Sequence, residues 1–204
     1  MTRIVADISV SLDGFVTGPD PAPDNGLGTG GEALHTWAFS DDPEDRRILR
    51  EATARSGAVV LGRRLFDVVD GPHGWDDRTG YGAGEVGRPA FFVVTSTPPE
   101  SVRLTGLDWT FVTTGLSDAV TAARVRAEEA SSDSGKDLDA VLMGGGTLVG
   151  SALDAGLVDV LGLHLAPVVL GSGTPLFTGG TPRTLVQRDV AATSTATHLT
   201  YDVR

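Results

Sequence analysis

Three consecutive glycines, Gly144-Gly145-Gly146, close the apolar run 140–143, and a helical pattern opens at once with Thr147 and Leu148. A glycine inside an ordinary element costs ~0.5–1 kcal/mol relative to alanine, so three together imply a close approach that a Cβ would block. Backbone N–H groups held at a helix start suit a phosphate. Two other strand ends carry complementary chemistry. Gly62-Arg63-Arg64 follows the buried run 58–61, and an arginine fork can bond two phosphate oxygens. Thr95-Ser96 follows the run 91–94 and offers hydroxyl and N–H groups to phosphate or ribose. Each alone also reads as an ordinary turn or a solvated cation pair. The glycine spacing is not Gly-x-Gly-x-x-Gly, and no acid follows a strand ~20 residues on, so this is not the Rossmann fingerprint.

Other chemistries find little support. The chain has no Cys, which excludes a disulfide framework, a thiolate metal site and a Cys nucleophile, and fits a reducing cytoplasm. The four histidines, His35, His73, His164 and His198, show no metal-ligand spacing, so no metal is expected; His164, inside a strand pattern, reads as structural. Ser11 and Ser151 lack the Gly-x-Ser-x-Gly elbow of a hydrolase. A net charge of −11 argues against nucleic acid as a partner. It also requires an anionic ligand to be held by local cations against the global field. No basic leader precedes an apolar region, and no run of ~18 apolar residues suggests a membrane span.

The elements that must position these residues alternate. Residues 3–10 read as a strand, 18–31 as a long Gly/Pro-rich loop, and 32–56 as helical with a break at residues 40–43. There Asp42 with Pro43 marks a fresh helix start. Strands are expected at 58–61, 91–95, 109–113 and 140–143. Helices are expected at 63–70, 116–130 (capped by Ser117 or Thr114) and 147–155, with a polar turn at 131–136 and an irregular loop at 71–88. The long run 158–169 and the alternating segments 185–191 and 196–203 close the chain as β structure. Together, residues 1–204 read as a single α/β domain: a mostly parallel central sheet, helices on both faces, and an antiparallel C-terminal hairpin. Ligands in such sheets sit at the carboxyl ends of the strands, where the three motifs fall.

Taken in order, the pieces resemble the dihydrofolate reductase-like proteins, and within them the reductase (RibD C-terminal) domain of bacterial riboflavin biosynthesis. They are Ser11-Leu12-Asp13-Gly14-Phe15-Val16-Thr17-Gly18, Val60-Leu61-Gly62-Arg63-Arg64-Leu65-Phe66, Val94-Thr95-Ser96 and Met143-Gly144-Gly145-Gly146. Leu163-His164-Leu165-Ala166-Pro167-Val168-Val169-Leu170-Gly171-Ser172-Gly173-Thr174-Pro175-Leu176-Phe177 and Leu153-Asp154-Ala155-Gly156-Leu157-Val158-Asp159 carry the branch resemblance. The resemblance implies a three-layer fold and NADPH as cofactor. Gly62, Arg63 and Arg64 would lie at the adenosine phosphates, with Arg63 favouring the 2′-phosphate. Thr95 and Ser96 would lie on the ribose side, and Gly144, Gly145, Gly146, Thr147 and Leu148 under the pyrophosphate and nicotinamide. The loop 11–18 would cover the nicotinamide as a lid.

Two departures stand out. Leu65 replaces a threonine common in relatives, and no acid falls in register with the pterin-binding acid of true dihydrofolate reductases. Asp13, His35 and Glu32 are the candidates for a proton donor. Phe15, Trp37 and Phe39 are candidates for an apolar pocket wall, or simply core. The resulting expectation is an NADPH-dependent reductase delivering hydride to a C=N or C=O carbon of a small heterocyclic substrate, as a homodimer. The alternatives are a true dihydrofolate reductase and a nucleotide-binding relative without catalysis.

Overall fold

The computed structural model describes residues 1–76, 80–81 and 89–204. Part of the expected loop 71–88 therefore lies outside the described residues. β1 (Ile4–Ser11) is followed by a 3-10 segment (Gly31–Phe39), α1 (Pro43–Ala54), β2 (Ser56–Gly62) and α2 (Arg63–Val69). β3 (Ala90–Val94), β4 (Trp109–Val112), α3 (Leu116–Ser134), β5 (Asp139–Met143) and α4 (Gly146–Asp154) come next. β6 (Val160–Ala166), β7 (Leu185–Ala192) and β8 (Thr197–Val203) complete the order. The strands form one eight-stranded sheet, β4-β3-β2-β5-β1-β6-β8-β7. The first six are mutually parallel, and β8 runs antiparallel to both β6 and β7.

The apolar runs make this sheet because both faces are covered. Ile4, Ala6, Ile8 and Val10 point to the face packed by Ala119, Val120, Ala123 and Ala127 of α3 and by Val149, Ala152 and Leu153 of α4. Val59, Leu61, Phe91, Val93 and Val141 pack on the other face with Phe66 and Val69 of α2. Asp42 caps α1 by accepting the Glu44 N–H at 2.9 Å, with Pro43 in the first turn.

Two local expectations need correction. α3 is capped by Gly115, at φ 114, with no side-chain bond from Thr114 or Ser117. The same helix runs on through Ser134 to Gly135 at φ 67, because Ser131, Ser132 and Ser134 return their hydroxyls to the carbonyls of Ala127, Glu128 and Ala130. What reads as a polar turn is a solvated last turn. β1 and β8 flank β6, and the open edges of the sheet are β4 and β7.

Candidate active site

Because β2, β3 and β5 are parallel neighbours, their carboxyl ends place the three motifs on one side of the sheet. They divide between two hollows. Gly62, Arg64, Gly144, Gly145, Gly146, Thr147 and Leu148 line a cavity of about 470 Å³. Arg63, Thr95 and Ser96 line a shallower groove beside it with Thr97 and Thr113. The Arg63 fork already points there: Nε donates to Asp67 at 2.7 Å and Nη1 to the Thr97 carbonyl at 2.6 Å.

The glycines differ in what they permit. Gly146 is demanded by packing, since a Cβ would meet the Pro175 carbonyl oxygen at 2.4 Å. Gly144 and Gly145 have φ 60 and φ 77, which side chains rarely adopt. Gly62 has neither reason. Its φ is −82 and ψ 159, ordinary extended backbone, and apart from its chain neighbours a Cβ there would meet no atom of a described residue within 4 Å. The fold leaves that space open on the cavity wall.

The cavity's other wall comes from the 3-10 segment. Trp37 is buried, lines the cavity and donates Nε1 to Ser9 Oγ at 2.9 Å. His35 also lines it, and Phe39, at the rim, is 70 % exposed. Burial, aided by the nearby His164, pulls the His35 imidazole down to about 4, and its Nδ1 has no hydrogen-bond partner among the described residues. His35 is thus neutral near neutral pH, able to accept or donate one bond but not to supply an acid proton. Phe15 lies off the cavity, its backbone bridging Pro175. Glu32 is exposed in the first turn of the segment.

Asp13 is committed elsewhere. Its carboxylate accepts the Ser11 hydroxyl at 2.6 Å and the N–H groups of Leu170 and Gly171 at 3.1 and 2.7 Å. The hydroxyl first, then the backbone donors, hold its carboxyl down to about 2. Backbone bonds from Leu12 to Val168, Val16 to Thr174 and Leu176 to Gly14 pin the loop 11–18 to residues 168–176. This loop is the stitching between two segments, a poor design for a lid.

The groups that sequence reasoning missed lie deeper. Asp7 of β1 lines the cavity, and its Oδ1 stands 2.6 Å from His164 Nε2. His164 Nδ1 stands 2.6 Å from His198 Nδ1, and His198 Nε2 stands 2.8 Å from Asp45 Oδ1. The register explains the line-up: Ser9 faces His164 and His164 faces His198 across adjacent strands. Trp37 covers both rings, with centroids 3.9 Å from His164 and 5.1 Å from His198. Burial opposes the Asp7 charge, yet the His164 ring holds the carboxyl below its ordinary value. Burial opposes Asp45 likewise, and the Ser40 and Thr195 hydroxyls with His198 outweigh it. One pattern in the sequence pointed here: Asp7, Ser9 and Ser11 form a polar stripe of period two inside an otherwise apolar strand.

Residues 2–200 match the family described as the RibD C-terminal domain. The chain belongs to that family. Its fold is shared with a protein assigned to riboflavin biosynthesis in Shewanella sp. PV-4 (TM-score 0.66, 19 % identity, 100 % of this chain and 99 % of that one covered). The deaminase/5-amino-6-(5-phosphoribosylamino)uracil reductase of Thermotoga maritima is also similar (TM-score 0.60, 16 % identity, 100 % of this chain). The RibD C-terminal domain chain spans only 57 % of that longer protein. Dihydrofolate reductase from Enterococcus faecalis, complexed with NADP(H), matches at TM-score 0.52 and 16 % identity over 99 % of this chain and 96 % of its own. No curated protein matches the sequence. The family match makes the protein a RibD C-terminal, reductase-like domain, and these structures share its fold. Among the described residues no helix is long and apolar enough to cross a membrane.

Proposed function

We propose that this protein is an NADPH-dependent reductase acting on a C=N or C=O carbon of a small heterocyclic compound. The observation that carries the reading is Gly62: backbone that any residue could adopt, beside space that no described residue fills, on the wall of the cavity. Folding does not require a glycine there, whereas a cofactor lying against the backbone does. The likeness to a dihydrofolate reductase complexed with NADP(H) supports the same cofactor.

The residues fit such a group. The backbone at Gly62 and at Gly144, Gly145 and Gly146 would accept the pyrophosphate, with the N-terminal N–H groups of α4 turned to it. Arg63, Thr95 and Ser96 would hold the adenosine phosphate in the groove. Arg64 stands on the cavity side and supplies positive charge within a chain of net charge −11. When bound, the nicotinamide supplies a hydride to an electrophilic carbon. The protein's part is to exclude water with Trp37, Leu65 and Met143 and to orient the substrate between that wall and Asp7.

The test follows from Arg63. Its charge-assisted contact with the 2′-phosphate is worth ~1.5–3 kcal/mol. Arg63→Ala is therefore expected to weaken NADPH roughly tenfold or more in a fluorescence titration, with little effect on NADH. Equal losses for both cofactors refute the assignment. Binding without turnover on any carbonyl or imine would favour a non-catalytic relative instead. The open edge at β7 suits pairing between two copies, so we propose a homodimer. Sedimentation at micromolar concentration should give twice the mass of one chain, and a monomer would refute it.

A further inference from the structure

Three hydrogen bonds in series, Asp7 to His164, His164 to His198 and His198 to Asp45, need three protons. Two neutral imidazoles bring only two. Without a third, either the two Nδ1 lone pairs meet head-on at 2.6 Å, or a ring nitrogen lone pair faces a carboxylate. The geometry thus calls for one extra proton, shared by the two rings and held between two anions. Charge-assisted bonds of this kind are short, as these are.

The four members are not equally accessible. Asp45 is fully buried, and both histidines are nearly so. Both nitrogens of each ring are occupied within the chain. His164 also reaches the cavity wall, but both its nitrogens are taken; Asp7 alone has a free acceptor there, with a side chain 26 % exposed and a second oxygen that accepts nothing from a described residue. A chain built only to satisfy buried groups has no need of that opening.

We propose that Asp7, His164, His198 and Asp45 form a proton store that opens into the cavity at Asp7 and passes one proton to the substrate. Its existence stands on the geometry; its use in catalysis rests on the reductase reading above. As hydride reaches the carbon, the π pair of the C=N or C=O bond moves onto the heteroatom. That pair takes a proton relayed by Asp7: His164 Nε2 gives its proton to the Asp7 carboxylate, and the Asp7 O–H gives it to the heteroatom, its electrons staying behind as carboxylate. His164 keeps the formerly shared proton on Nδ1, so two neutral rings remain. One N–H or O–H bond forms on the substrate, one proton leaves the store, and solvent restores it after product departs.

Burial pulls the His198 ring down, and the bond to Asp45 pushes it back up. From the 3-10 segment, His35 faces the store as a neutral ring. Burial pushes Tyr81 up, so it stays protonated. From α1, Glu44 is tied to Arg47, and Asp42 is occupied as the helix cap. Ser40 and Thr195 approach Asp45 as hydroxyl donors.

The test is NMR on the full chain labelled with 15N-histidine, from pH 5 to 9, with and without NADPH. The expected spectrum has both Nε2 atoms protonated and one strongly deshielded proton shared between the Nδ1 atoms. Raising the pH should remove it in a single event that moves both rings together, and Asp7→Asn should shift that event to lower pH. Rings that titrate separately, or bare Nδ1 atoms at pH 6, overturn the store. Delivery is tested by reduction of 3,4-dihydroisoquinoline, a cyclic imine, and of a cyclic 1,2-diketone. His198→Asn should lower kcat at least tenfold and change its pH profile while KM for NADPH holds. An unchanged profile, or a wild-type protein that binds NADPH yet reduces neither probe, overturns delivery. A shared proton in a protein that binds no NADPH upholds the store and refutes the reductase reading, so the two failures are told apart.

Discussion

Gly62→Val is expected to weaken NADPH roughly hundredfold or more and to leave the protein at least as stable as before. The two halves of that result have separate causes. Gly62 sits at φ −82 and ψ 159, the extended region that β-branched residues favour, and apart from its chain neighbours no atom of a described residue lies within 4 Å of the added Cβ. Replacing glycine where the new residue fits without strain removes freedom from the unfolded chain, which stabilises by ~0.4–1 kcal/mol. The same side chain would occupy the space beside the cavity wall where the cofactor is expected to run. A hundredfold loss is about 2.7 kcal/mol, a modest figure for two methyl groups driven into a bound pyrophosphate. Thermal unfolding and a fluorescence titration on one preparation read both halves. A variant that binds NADPH normally would remove Gly62 from the site. Gly146→Val makes the control: it should fail to fold, because its Cβ collides with the Pro175 carbonyl.

Asp45→Ala is expected to cost about 3–5 kcal/mol, the usual consequence of removing one partner from a buried charged network. Asp45 is fully buried and accepts from His198 and Thr195, and from Ser40 by a short contact. Removing it strands three donors between α1 and β8 and leaves the shared imidazole charge without one of its anions. The carboxyl lies below its ordinary value in the fold. Stability from this group is therefore present above the unfolded carboxyl value near 3.8 and is lost as pH falls through the lower folded value. Urea unfolding should show the midpoint falling with the slope kept, and a weaker dependence on pH in that acidic window. A loss below about 1 kcal/mol would mean that solvent reaches the site and satisfies the stranded donors.

The sheet was legible because parallel strands buried on both faces read as unbroken apolar runs, and because Asp42-Pro43 and Gly156 punctuate helices in the expected way. The motifs at β2, β3 and β5 were legible for the same reason: once the strands are known to be parallel, their carboxyl ends must share a side. The helix ends were harder. Gly115 caps α3 without a side chain, and that helix continues four residues past its expected end, its serine hydroxyls turned back onto the preceding carbonyls. The proton store was hidden for a deeper reason. Asp7, His164, His198 and Asp45 come from four elements, and no spacing along the chain brings them together. Only the register of β1, β6 and β8 does so. Each residue alone looks like an isolated polar group, and His164 in particular reads as structural. The readable clue was the alternation of Asp7, Ser9 and Ser11, since a central strand has little reason to carry a polar face unless something polar meets it.

The position of β1 between β5 and β6 also governs how the molecule can be made. The earliest strand of this sheet finds its neighbours only after residues 139–166 have emerged, and the store closes only with β8. Such distant pairing is slow, because loop closure is unfavourable until the partners arrive. On the ribosome, the β1 strand must wait unpaired until β5 and β6 are made, a period in which exposed strands invite aggregation. The polar alternation of Asp7, Ser9 and Ser11 then has a second benefit: it keeps one face of the waiting strand wet. Interrupted synthesis would leave Asp7 without its histidine partner, so a chain cut short before β6 cannot assemble this chemistry.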